Sequence, residues 1–253
     1  MADNDTFDAV HRPATNWARI HLSPNHLFSA FHHASMSRQL EQEGDLRDRA
    51  TTERHRASVV GAVLAATAFL EASINELFYS AGDTIVAQPS LDEGTRRSFE
   101  ALWSVEGFRR SARVLEKFEV ALQLAGSVPL AKGGKPYQDA KLLVDLRNAL
   151  VHYVPSTFAI EAGASQDESL DEFGKKFRGK FEENPWKAKY LVISSGSEPN
   201  PEEAEYPFFP ERCLGSGCAI WAAQSALALA DEFFQRLGIQ WYYHHVRKDL
   251  PSL

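Results

Sequence analysis

One stretch of this chain carries the side chains that phosphate chemistry needs. In Asp145-Leu146-Arg147-Asn148-Ala149-Leu150-Val151-His152-Tyr153-Val154-Pro155, a guanidinium, a carboxamide and an imidazole fall within six residues. Displacement at a phosphate takes a base for the attacking hydroxyl, an acid for the leaving oxygen, and positive charge for the crowded phosphorane. An imidazole serves the first two roles because it titrates near neutral pH. A guanidinium grips phosphate oxygens bidentately and never loses its charge. On a helix, at about 100° per residue, Asp145, Asn148 and His152 share a polar strip, while Leu142, Leu143, Leu146, Leu150 and Tyr153 form the buried face. Arg147 and His152 then point about 140° apart. A twofold dimer that presents the same strip from both copies closes a shared pocket.

The elements that must position this strip are legible as apolar periodicities. Ser23-Pro24 reads as a helix start, with Leu27, Phe28, Phe31 and Leu40 as its apolar face. Residues 46–80 repeat apolar positions at Val60, Val63, Leu70, Ile74 and Leu77 and stop at Gly82-Asp83. Residues 90–125 form a second core helix through Phe99, Leu102, Trp103, Val114, Leu115, Phe118 and Leu122, with a break near Gly107 left open. A turn-rich loop at 127–136 leads into the third, the helix of the strip, which Pro155 stops. Residues 218–237 make the fourth, rich in alanine and closed by Gly238. Between them, short β-like runs at 157–160 and 190–193 mark 156–215 as an insertion with a small hairpin and a mobile excursion. The expected fold is therefore all-α: four long core helices (46–155 and 216–240), an N-terminal accessory region with its own helix (1–45), the β-hairpin-containing insertion (156–215) and a C-terminal tail (241–253).

Composition narrows the function. In 253 residues, 44 % hydrophobic and 24 % charged content excludes a disordered chain. A net charge of −7, from 27 Lys and Arg against 34 Asp and Glu, argues against a general coat for polyanions. Locally the balance reverses: residues 96–152 hold ten cationic side chains and six anionic ones, a candidate positive rim beside the strip. Cys213 and Cys218 are too few for a disulfide framework or a four-thiolate zinc site, which fits a reducing cytoplasm, as does an acidic start without a secretory layout. The apolar stretches 57–70 and 218–230 fall short of the roughly 20 residues that span a bilayer, so no membrane contact is expected. The pairs His32-His33 and His244-His245 diverge on a helix, and Lys132-Gly133-Gly134-Lys135 lacks the strand and the Gly-Lys-Ser/Thr ending of a phosphate loop. Neither a metal nor a cofactor is expected.

The spacing of Arg147-Asn148 and His152, arginine then four residues then histidine with a polar residue after the arginine, resembles the signature of HEPN (higher eukaryotes and prokaryotes nucleotide-binding) domains. The resemblance covers residues 46–155 and 218–238. It implies a HEPN-like bundle and a metal-independent endoribonuclease that acts as a homodimer on RNA, with Arg147 and His152 as the catalytic pair. By family analogy it implies a toxin or antiphage role, with an antitoxin or defence-system protein as a further partner. In the branch that works with a nucleotidyltransferase antitoxin, a tyrosine follows the histidine by two positions. Here Tyr153 follows by one and Val154 takes that slot, so that pairing is not implied.

Four more residues are candidates for support or substrate binding: Asn148, Tyr153, Glu71 and Asn75. Glu71 and Asn75 lie one turn apart beside the apolar stripe of the first core helix, where an acid needs a partner. One reading has them reaching the strip and holding Arg147 or His152; the other makes Glu71 a structural ion pair or an exposed edge. For Arg147 and His152 the structural alternative is a surface ion pair and a histidine favoured by a helix C-terminus. The rival function is a non-catalytic dimeric scaffold or nucleotide-binding module.

Overall fold

The computed structural model describes residues 19–45, 48–82, 91–155, 168–186 and 208–253. Among these, the α-helices in chain order are α1 (Ser23–Glu43), α2 (Arg49–Ala81), α3 (Glu93–Ser104), α4 (Glu106–Ser111), α5 (Val114–Leu124), α6 (Lys135–Val151), α7 (Glu168–Lys175) and α8 (Ser216–Leu237). Short helical turns, Phe208–Arg212 and Tyr242–Asp249, precede and follow α8. No strand occurs among the described residues, and the architecture is all-α; the runs at 157–160 and 190–193 lie outside them.

The axis of the fold is α2. It buries Val59, Ala62, Val63, Ala66, Phe69, Leu70, Ile74, Leu77 and Phe78 against α1, α8, α6 and α3. By length and composition α2 could cross a membrane, which residues 57–70 alone do not suggest. Most of its apolar stretch is buried inside the bundle, as in the core helix of a soluble protein. Alanines 219, 222, 223, 226 and 230 of α8 are all buried and let its backbone come close to its neighbours. Residues 23–43 are no mere appendage: α1 packs along both α2 and α8 through Leu27, Ala30, Phe31 and Ala34. Phe28, expected on its apolar face, is exposed.

Carboxylates fix the starts of α1, α2, α3 and α8. Asp48 caps α2 by accepting from the Ala50 and Thr51 amides, and Asp92 caps α3 by accepting from Thr95. The caps of α1 and α8 come from other helices. Ser23 is the first residue of α1 rather than its cap; Glu76 of α2 accepts from the Leu22 amide (2.7 Å), the Ser23 amide (2.9 Å) and the Ser23 hydroxyl (2.6 Å). Glu41 of α1 accepts from the Ser216 amide (2.7 Å) and hydroxyl at the start of α8. Its Oε1 also lies 2.7 Å from Nε2 of the fully buried His55 of α2. One carboxylate thus joins three helices.

The second core helix expected at 90–125 is three helices, broken at Val105, two residues before Gly107 where the sequence leaves an interruption open, and again at Ala112-Arg113. The rings explain the first break. Phe99 and Trp103 both pack on Phe78, with centroids at 5.0 and 6.2 Å. Phe108, five residues after Trp103, would point about 140° away on a continuous helix. The break brings it back onto Phe78, edge-on at 5.1 Å.

The described part of the expected insertion is woven into the bundle. Lys180 pairs with the buried Asp139 of α6 at 2.8 Å. The Asn184 amide donates to the Arg212 carbonyl at 2.8 Å, and Trp186 packs on His55 at 4.6 Å. This strap runs so close to the start of α8 that a Cβ on Gly217 would stand 2.5 Å from the Glu182 carbonyl oxygen. The residues read as a tail also cover the bundle. Gly238 closes α8 in the left-handed conformation (φ 68°), after which Trp241 stacks on Phe234 and the Tyr243 hydroxyl donates to Asp231 at 3.0 Å.

Burial raises the Glu41 carboxyl, but hydrogen bonds from His55 and Ser216 outweigh it and hold the group below its ordinary value of 4.5. Its stabilising contribution is therefore complete above that value and is lost as pH falls through the lower folded one. Replacing Glu41 by Ala is expected to cost about 2–4 kcal/mol in urea unfolding at neutral pH, and the deficit should shrink on acidification.

Candidate functional site

Helix α6 starts with Gly134 at the N-cap and Pro136 in its first turn, and it ends at Val151. His152 is the C-cap residue (φ −106°, ψ 29°), its amide donating to the Asn148 carbonyl at 2.9 Å. Pro155 disfavours helical backbone at Val154, so the chain leaves in an extended direction. The His152 ring is exposed, and no described residue holds it by a hydrogen bond or ion pair. Tyr153, expected on the buried face, is instead 43 % exposed, its ring edge-on to Phe209 at 6.3 Å. It lies beyond the last helical residue, where the 3.6-residue period no longer places side chains.

Arg147 does not stand alone. Its Nη2 donates to Glu71 Oε1 of α2 at 2.5 Å, and its Nη1 donates to Asn148 Oδ1 at 3.1 Å. A guanidinium has five N–H donors, so these bonds orient it and leave further donors for an anion. Of the candidate supports, Glu71 reaches the strip and holds Arg147. The Asn148 side chain serves Arg147, while only its backbone carbonyl serves His152.

Asn75 goes elsewhere. Its Oδ1 accepts from Lys117 Nζ of α5 at 2.9 Å, so it does not bond to Arg147 or His152. Lys117 is only 6 % exposed; it also donates to the Arg109 carbonyl at 2.9 Å and lies over the Trp103 and Phe108 rings at 5.7 and 6.0 Å. Burial lowers its pKa from the ordinary 10.5, opposed by the field of Glu71. By composition this lysine belongs with the cations of the expected positive rim. A signal was present: Lys117 is three residues after Val114 and four before Ala121, both buried, which puts it on the inner face of α5.

The expected positive rim is more balanced than its composition suggests. Arg97 pairs with Glu93, Arg110 with Glu106 (3.2 Å), Arg113 with Glu116 (3.9 Å) and Lys132 with Glu119 (2.8 Å). Exposed pairs of this kind contribute little and open readily to another anion. Glu119 also accepts from the Tyr137 hydroxyl, which burial and this carboxylate push up to about 12. Lys132 and Tyr137 thereby tie the glycine connector and α6 to α5. Cys213 and Cys218 are buried thiols, the second pushed up by its hydrogen bond to the first and by burial, which makes it a poor nucleophile. Among the described residues no three His, Cys, Asp or Glu side chains come together as metal ligands would.

Compared with known proteins, the chain matches no family model, and no curated protein or solved structure matches it significantly.

The Arg147 and Glu71 side chains are 28 % and 45 % exposed. A double-mutant cycle with Arg147→Met and Glu71→Gln, read by urea unfolding, is therefore expected to give a coupling of about 1 kcal/mol or less. A coupling near 3 kcal/mol, typical of breaking a buried pair, would make the contact a structural brace.

Proposed function

We propose that this chain is a HEPN-type helical bundle, its core at 46–155 and 216–240 interrupted by an insertion at 156–215, that works as a metal-independent endoribonuclease. The observation that carries this reading is an arginine pre-oriented by Glu71 and Asn148, five residues before an exposed histidine whose ring has no partner among the described residues. In the proposed reaction, His152 of one copy takes the proton of a ribose 2′-hydroxyl, and the oxygen attacks the adjacent phosphorus. The second copy's imidazole gives a proton to the departing 5′-oxygen. Arg147 neutralises the phosphorane with the donors that Glu71 and Asn148 leave unused. The products are a 2′,3′-cyclic phosphate and a 5′-hydroxyl. DNA, lacking the attacking hydroxyl, is not cut. Two imidazoles at one phosphate call for a homodimer with the α6 strips face to face. A cytoplasmic toxin or antiphage effector, with an antitoxin or defence protein as partner, follows by family analogy alone.

A second reading, a non-catalytic dimeric scaffold, has its own support. Arg147 already has a carboxylate partner, and the exposed Val151, Tyr153 and Val154 surround His152 with apolar surface suited to docking a protein.

The two part on one assay. Purified protein incubated with mixed RNA and a chelator is expected to leave cyclic-phosphate ends. His152→Ala should stay folded and dimeric while cleavage falls by about 10²-fold or more. Arg147→Lys should also be impaired, because one ammonium does not reproduce the guanidinium fork. Inert RNA with a stable dimer favours the scaffold, and undiminished cleavage by His152→Ala removes that residue from the mechanism.

A further inference from the structure

Lys117 has a place in the site that neither motif spacing nor surface charge explains. An ammonium taken out of water is costly unless its donors are met. Here one N–H goes to Asn75 of α2 and another to the Arg109 carbonyl of α4, while Trp103 of α3 and Phe108 of α4 cover it with their rings. Asn75 lies one turn beyond Glu71, so both project from the same side of α2. Two cations from different helices thus serve one turn of α2: Lys117 of α5 through Asn75, and Arg147 of α6 through Glu71. The charges run positive, negative, positive, with Asp145 of α6 a further carboxylate on the strip, so what an anion would meet is the guanidinium edge that Glu71 and Asn148 leave unused.

We propose that Lys117 is a positioning residue for Arg147: its ammonium, fixed between Asn75 and the Arg109 carbonyl, holds the α2 turn that carries Glu71, and Glu71 fixes the guanidinium. The consequence for cleavage rests on the ribonuclease reading; the consequence for Arg147 itself does not. Among the described residues the charged group whose field reaches Lys117 is Glu71 of α2, which pairs with Arg147 of α6; Trp103 of α3 and Phe108 of α4 present rings, and Arg109 of α4 its carbonyl.

Two readouts test this. Lys117→Met keeps the length and apolar stem but removes the charge and the donors. It should lower the turnover of RNA by about tenfold or more with KM changed by less than about threefold, since a displaced clamp acts mainly in the transition state. Independently of any activity, carbon-detected NMR of the Arg147 guanidinium nitrogens should show faster rotation about Nε–Cζ in Lys117→Met than in the wild type. In the wild type the same loosening should appear as pH rises, at a midpoint below the ordinary lysine value of 10.5. A chain that cuts no RNA but shows this loosening sinks the ribonuclease reading and supports the anchor. If Lys117→Met does not fold, the wild-type titration decides the matter. Arg147 signals that change with neither the substitution nor pH overturn the proposal, whatever the cleavage assay gives.

Discussion

A charged group inside a helical bundle must be answered from another helix, because its own backbone donors and acceptors are already engaged, and that requirement organises this molecule. Glu76 of α2 is answered by the start of α1, and Glu41 of α1 by the start of α8 and by His55. Asp139 of α6 is answered by Lys180 of the strap. Glu211, which burial pushes up, has Arg56 of α2 at 3.5 Å. Glu71 of α2 and Arg147 of α6 obey the same rule, with a difference: both remain partly exposed. A carboxylate that caps a buried helix end is confined to that task, whereas a partly exposed pair has an edge left for a ligand.

Much of the frame was legible in the sequence, because amphipathic periodicity reports burial directly. The core helices expected at 46–80, between 136 and Pro155, and at 218–237 are present as α2, α6 and α8, and the stop at Gly238 and the all-α class follow from the same pattern. What was not legible depends on contacts between elements distant in sequence. A break near Gly107 is left open by the sequence, but nothing local to 90–125 says that Phe108 must return to Phe78, which places the first break at Val105. Glu76 takes the capping role expected of Ser23, because a carboxylate from a neighbouring helix accepts more donors than one hydroxyl does. The integration of residues 181–186 and 241–249 rests on scattered long-range contacts, among them Trp186 on His55, Trp241 on Phe234 and the Tyr243 hydroxyl on Asp231, which no periodicity reveals.

The candidate site divides in the same way. Glu71 lay beside an apolar stripe, so a partner was required, and Arg147 is that partner. Asn75, one turn on, is a candidate for the same pocket on one of the two readings of the sequence but meets α5 instead, because a side chain that short reaches only the helix packed against its own turn. Tyr153 failed for a geometric reason: a helical period was extended past the helix end. The proposed dimer is the step that the single chain leaves open. Within one copy, His152 sits past the end of α6 and Arg147 is turned toward α2, so a reaction that needs an acid and a base on opposite sides of one phosphate calls for a second copy.

That arrangement is open to direct measurement. With both native thiols buried, a nitroxide on a cysteine introduced by Val154→Cys reports the separation of the two α6 ends by dipolar electron-spin resonance. The account predicts a dimer with one short-distance population, the labels lying on either side of a shared cleft. A monomer without dipolar coupling, or a dimer whose labels lie at opposite ends of the assembly, would contradict it.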